Sequence, residues 1–142
     1  MENIFENITN VSHVIQLSVA PVFLLTGIGA ILSVLVSRLG RIVDRGRVLR
    51  EQHKMIDEAN MMERKVLNIR AFWVHWSIVF CTVSALLVAV VIAVLFLASE
   101  VHFDPTHTVS PMFILAMLSL IAGLICFLRE IYLSTHTIEI DI

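Results

Sequence analysis

Five arginines stand within thirteen residues, Arg38-Leu39-Gly40-Arg41-Ile42-Val43-Asp44-Arg45-Gly46-Arg47-Val48-Leu49-Arg50. Guanidinium groups at this density can snorkel to lipid headgroups, favour anions, or pair with carboxylates. Arg38, Arg41 and Arg45 recur at helical spacing, and Asp44 follows Arg41 by three residues, within pairing reach on one helix surface. Headgroup anchoring fixes topology but needs no acid, so Asp44, flanked by Arg45 and Arg47, points to an ion-pair network between helices or subunits. Glu130 is the second carboxylate of interest. It arrives at the edge of an apolar run, where headgroup phosphates would repel it, and we expect it within about 6 Å of Arg38 or Arg41.

Other residue types capable of chemistry are less organised. Glu100, His102, Asp104 and His107 fall in one short loop, but their spacing matches no zinc motif and a solvated loop is the expectation. Cys81 and Cys126 both lie inside apolar runs, where small packing side chains are expected rather than a disulfide. The chain has no nucleophile beside a base, no glycine-rich phosphate loop and no paired carboxylates, so no enzyme, cofactor, metal or nucleic-acid partner is expected.

The elements that must position these groups follow from composition. A chain of 142 residues that is 58% hydrophobic and 15% charged is too apolar for a soluble domain of its size. The net charge of -2 hides an asymmetry, because nine of the ten Lys and Arg lie between Arg38 and Arg70 and the tenth is Arg129. Residues 1–12 carry Glu2 and Glu6 and no basic residue, unlike the positive start of a cleavable signal peptide.

The pattern predicts a single all-α membrane domain with three transmembrane helices, at about residues 14–37, 71–98 and 111–130. Residues 38–70 should form a cytoplasmic antiparallel helical hairpin that extends helices one and two. Leu35, Leu39, Ile42, Gly46 and Leu49 step by four and three along its first arm. Met55, Ala59, Met62, Val66, Ile69, Trp73 and Trp76 continue that alternation on the second arm, with the turn between Glu51 and Asn60 and with Asp57 or Asn60 as cap. Ser110 and Pro111 suit the start of the third spanning helix, which Arg129 and Glu130 close.

Small residues mark where helices can approach closely in lipid. Gly29, Ser33 and Ser37 form one such seam, and Ser119 and Gly123 another. Ser77, Cys81, Ala85, Ala89 and Ala93 place a small side chain at every fourth position of the second span, which makes that helix the expected centre of the fold or of an oligomer; the step favours a right-handed crossing and leaves either hand open. By the positive-inside rule the hairpin and the C-terminus are cytoplasmic and the N-terminus is outside.

Three stretches together resemble a known family: residues 20–29 (Ala-Pro-Val-Phe-Leu-Leu-Thr-Gly-Ile-Gly), the arginine-aspartate run from Arg38 to Arg47, and Phe127-Leu128-Arg129-Glu130. They look like the hallmarks of DUF2721, a family of small, mainly bacterial, membrane proteins. Gly46 departs from the alanine expected there. The resemblance implies a multi-pass protein of the bacterial inner membrane with uncharacterised function, and no catalytic residues.

Two function classes stay open. The first choice is a homo-oligomeric pore or channel subunit in which the arginines favour anions, and the second class is the runner-up. The other is a scaffold or accessory protein, embedded among membrane lipids, whose cytoplasmic hairpin recruits a protein partner through an adaptable surface at Met55, Met61 and Met62.

Overall fold

The computed structural model describes residues 2–51, 58–101 and 106–136, all of them helical. Helix α1 spans Glu2–Glu51, α2 Glu58–Val101 and α3 Thr106–His136. Each contains a stretch long and apolar enough to cross a membrane, within Ile15–Glu51, Met61–Ala98 and His107–Thr135. Continuous helix is the form that satisfies every backbone polar group without water. At about 1.5 Å per residue, α1 reaches about 75 Å and α2 about 66 Å, more than twice the roughly 30 Å of hydrocarbon in a bilayer.

Helix α2 is the middle of the molecule, packed against both α1 and α3, while the direct contact between α1 and α3 is slight. Both pairs run antiparallel. Ser77 bonds to Gly123 and Ser84 to Ala116, so α3 descends as α2 rises. Arg45 meets Glu63 near one end of the α1–α2 pair, and Ile15 and Phe23 line a shared groove with Phe96 near the other.

The buried positions carry the register. In α1, Pro21, Ile28, Leu35, Ile42 and Leu49 are buried seven residues apart each time, and Ser18 is buried besides; in α2 the buried positions are Val74, Ser77, Cys81, Ser84, Val88 and Val91, alternating three and four. In α3, Ala116, Gly123 and Glu130 repeat the seven-residue step. This heptad spacing is the pattern of coiled-coil-like packing and differs from the row of small residues at every fourth position. A four-residue step overshoots a full turn by about 40°, so a row of such steps winds around the helix rather than following one neighbour. Accordingly Ser77 and Cys81 are buried, Ala85 is half-buried, and Ala89 and Ala93 are exposed.

The second arm shows the same kind of correction. Met62, Ile69 and Trp76, three members of the apolar stripe expected to face α1, are exposed. The seam is instead Glu63, Leu67, Arg70 and Val74, in register with the buried positions that follow; charged residues occupy two of its places. Met55 and Asp57 lie outside the described residues, and so do His102 and Asp104 of the loop beyond α2.

Helix boundaries lie outside those expected. Asn60 sits in the first turn of α2, which begins at Glu58, and so does not precede the helix as a cap. Helix α3 begins at Thr106, which puts Pro111 inside it rather than at its start, and it continues past Glu130 to His136. Pro111 is the sixth residue of α3, so the helix forgoes the bond that an amide at this position would donate to the His107 carbonyl.

Candidate functional site

Charged residues at the ends of the three apolar stretches converge at one level of the bundle. Arg38 ends the apolar run of α1, Arg70 is the last charge before that of α2, and Glu130 follows the apolar part of α3. Glu130 is 0% exposed. Arg38 Nη1 donates to its Oε2 at 3.0 Å and Arg70 Nη2 donates to its Oε1 at 3.1 Å, so each carboxylate oxygen is held by a different helix. The same Arg70 nitrogen also donates to Ser134 Oγ at 2.9 Å.

The spacing within α3 explains the local motif. Phe127 and Glu130 lie three residues apart and share a face; the Arg38 guanidinium rests 5.2 Å from the Phe127 ring centroid while its Nη1 reaches Glu130. Arg129 points to another neighbour, 5.6 Å from the ring centroid of Trp73 on α2. Trp73, Phe72, Trp76 and Phe80 then form edge-on and tilted ring contacts along α2, at centroid separations of 5.7 to 6.2 Å. Aromatic rings with polar edges are enriched at the boundary between hydrocarbon and water.

Next to this node lies an open cavity of about 330 Å³ lined by Arg38, Arg41, Arg45, Arg70, Glu130 and Ser134, among others. Arg45 Nε donates to Glu63 Oε1 at 2.8 Å in an exposed pair. Among the described residues Arg41 has no hydrogen bond or ion pair, and the buried Arg70 Nε has no partner. A second groove, about 430 Å³, is lined by Gly46, Arg47, Arg50, Arg64 and Asn68 on the two arms.

The structure therefore brings Arg38, Arg41, Arg45 and Glu130 to one place and leaves two of the residues grouped with them elsewhere. Asp44 is exposed and takes no part in an ion pair among the described residues, and Arg47 lines the second groove. Arg70, Glu63 and Ser134 are the participants that sequence reasoning passed over. Their sign was available: Glu63 and Arg70 occupy the same seven-residue register as Ser77, Ser84 and Val91, but a search for apolar periodicity skips charged residues.

Within the apolar part of the bundle, hydroxyls join α2 to α3. Ser77 Oγ donates to Gly123 O at 2.7 Å, Ser84 Oγ to Ala116 O at 2.8 Å, and Ser119 Oγ to Phe80 O at 2.9 Å. Gly123 is required for this approach: a Cβ there would lie 2.8 Å from Cys81 Sγ and 3.2 Å from Ser77 O. Gly29, Ser33 and Ser37, by contrast, are exposed on the outside of α1, and a Cβ added at Gly29 would meet nothing within 4 Å. Among the described residues, no three His, Cys, Asp or Glu side chains come together as a metal site.

A family model described as a protein of unknown function (DUF2721) matches residues 18–140. No curated protein and no solved structure matches the chain.

Proposed function

The chain belongs to the DUF2721 family, and from that premise we propose a homo-oligomeric membrane scaffold whose copies pack through the outer face of α1 and whose cytoplasmic hairpin recruits a partner. The observation that carries this reading is the exposure of Gly29, Ser33 and Ser37, with open space at the glycine. Within the bundle, α2 and α3 use their own small residues for close approach; the α1 row is left without a neighbour. Helix association in lipid depends on such rows, because no hydrophobic driving force operates there. Met61 and Met62, 62% and 69% exposed on the α2 arm, supply the adaptable apolar surface that suits protein recruitment.

Orientation follows from the charge asymmetry already described. The arms between Arg38 and Arg70 face the cytoplasm of a bacterium and the N-terminus faces outward.

The pore is the second reading, and the observation in its favour is that the α1 row continues from Ser37 to Arg41, also exposed. Any passage has to run between copies, since Ile28, Leu35, Cys81, Val88 and Ala116 fill the bundle. The scaffold is preferred because Arg38, Arg45 and Arg70 already have carboxylate partners, whereas an anion-selecting ring works with uncommitted charge.

Cysteine crosslinking in native membranes tests the assembly. In a Cys126→Ser background, Ser33→Cys is expected to give disulfide-linked dimers, and Val88→Cys, at a buried position, is expected to give none. Crosslinking that is equal at the two sites would remove the α1 interface. Proteoliposomes are expected to pass no current under voltage; anion flux that disappears in Arg41→Gln would replace the scaffold with the pore.

A further inference from the structure

We propose that the cavity bounded by Arg38, Arg41, Arg45, Arg70 and Ser134 is a binding site for a phosphate group, supplied by the headgroup of an anionic phospholipid. At about 330 Å³ the cavity falls at the small end of the range that holds ligands. Four guanidinium groups line it with one carboxylate, Glu130, and Arg45 is paired with a second, Glu63, outside the lining. That carboxylate is fully buried with both oxygens bonded, so it fixes Arg38 and Arg70 in place and cancels only part of their charge.

Donors are left over. Arg41 has no partner among the described residues. Among the described residues Arg70 makes both of its bonds through Nη2, and its buried Nε has nothing to donate to. Guanidinium is a planar fork that matches two oxygens of one phosphate, and a single-nitrogen contact leaves that capacity unused. A phosphate entering the cavity would draw on Arg41 and the free edge of Arg70, with Ser134 Oγ as a further hydrogen-bond partner.

Position selects the lipid as the source. The three apolar stretches end together at Arg38, Arg70 and Glu130, and the ring cluster from Phe72 to Phe80 begins beside them. The cavity therefore opens at the depth of the headgroups, where basic pockets between membrane helices bind anionic lipids. This inference is independent of self-association through α1, which involves Ser33 rather than the cavity.

The test uses the full chain in neutral detergent, with phosphatidylglycerol, phosphatidylcholine and inorganic phosphate as probes, and native mass spectrometry to follow lipid adducts. Phosphatidylglycerol is expected to bind at least about tenfold more tightly than phosphatidylcholine, as befits charge-assisted contacts. Arg41→Gln, at a position with no hydrogen bond or ion pair among the described residues, is expected to abolish most of that preference, and Ser134→Ala to weaken it. Arg129→Gln, which alters an arginine outside the cavity, is expected to preserve it. Competition by inorganic phosphate alone would keep the phosphate site and reassign its source to soluble anions; failure to compete supports the lipid. Equal binding of the two lipids, or equal losses in Arg41→Gln and Arg129→Gln, would overturn the site.

Discussion

Glu130 is the residue on which the three helices agree. A carboxylate with no exposure to water is stable as an anion only if other groups replace its hydration, and here α1 and α2 each provide one arginine. Removing it strands two cations whose side chains are only 33% and 24% exposed. Glu130→Ala is therefore expected to destabilise the bundle by about 3 kcal/mol, the low end for breaking a buried pair because the arginines stay partly solvated. Arg45→Ala breaks a pair of equally good geometry between exposed side chains and is expected to cost under about 1 kcal/mol. Unfolding in mixed detergent micelles, followed by circular dichroism, separates the two; similar losses would mean that the node is no more than a surface pair. The Arg38–Glu130 contact was legible in the sequence, since a carboxylate and a guanidinium share one membrane edge. Arg70 was not, because it fills a core register position that apolar periodicity assigns to a hydrophobic side chain.

At the scale of the helix, the same residue type has opposite consequences in two places. Gly123 lets α3 approach α2, and the Cβ of Gly123→Ala would press on Cys81 Sγ and the Ser77 carbonyl. Overpacking of this kind costs about 1–3 kcal/mol, and we expect a loss in that range, partly restored when Cys81→Ala removes the nearer atom. Gly46, on the α1 arm, has nothing within 4 Å of a Cβ position. Gly46→Ala is expected to stabilise by about 0.5–1 kcal/mol through the lower entropy cost of fixing alanine in a helix. Thermal unfolding of both variants should show opposite signs, and a shared sign would contradict the assigned approach. The helices themselves were legible from apolar run length. Which face each one buries was less so, because a ladder of small residues such as Ser77 to Ala93 suggests a straight seam, whereas the bundle follows a heptad that drifts off that ladder toward Ser84 and Val91. Helix ends were the least legible: Ser110 and Pro111 read locally as a start, but helix extending back to Thr106 leaves fewer backbone groups unsatisfied.

The whole molecule is asymmetric along its length. Nine of its ten Lys and Arg fall between Arg38 and Arg70, on two arms that together with α3 meet at the Glu130 node. Drawing those arms through hydrocarbon would carry several guanidinium groups across the bilayer at about 2.5–3.5 kcal/mol each on the insertion scale, whereas the first twelve residues carry no basic side chain to oppose outward transfer. Because Arg38, Arg70 and Glu130 are joined, the ends of three spans are tied to one side, and orientation is decided once for the entire bundle. Labelling of intact spheroplasts with a membrane-impermeant maleimide measures it. In the Cys126→Ser background, a cysteine replacing Ser12 is expected to react from outside, and one replacing Val48, exposed on the α1 arm, is expected to react only after the membrane is opened. The reverse pattern would place the arginine cavity and its proposed lipid partner in the opposite leaflet. A mixture of the two would mean that charge bias fails to set a single topology even with three spans locked together, and the proposed cytoplasmic recruitment surface at Met61 and Met62 would then have to be abandoned.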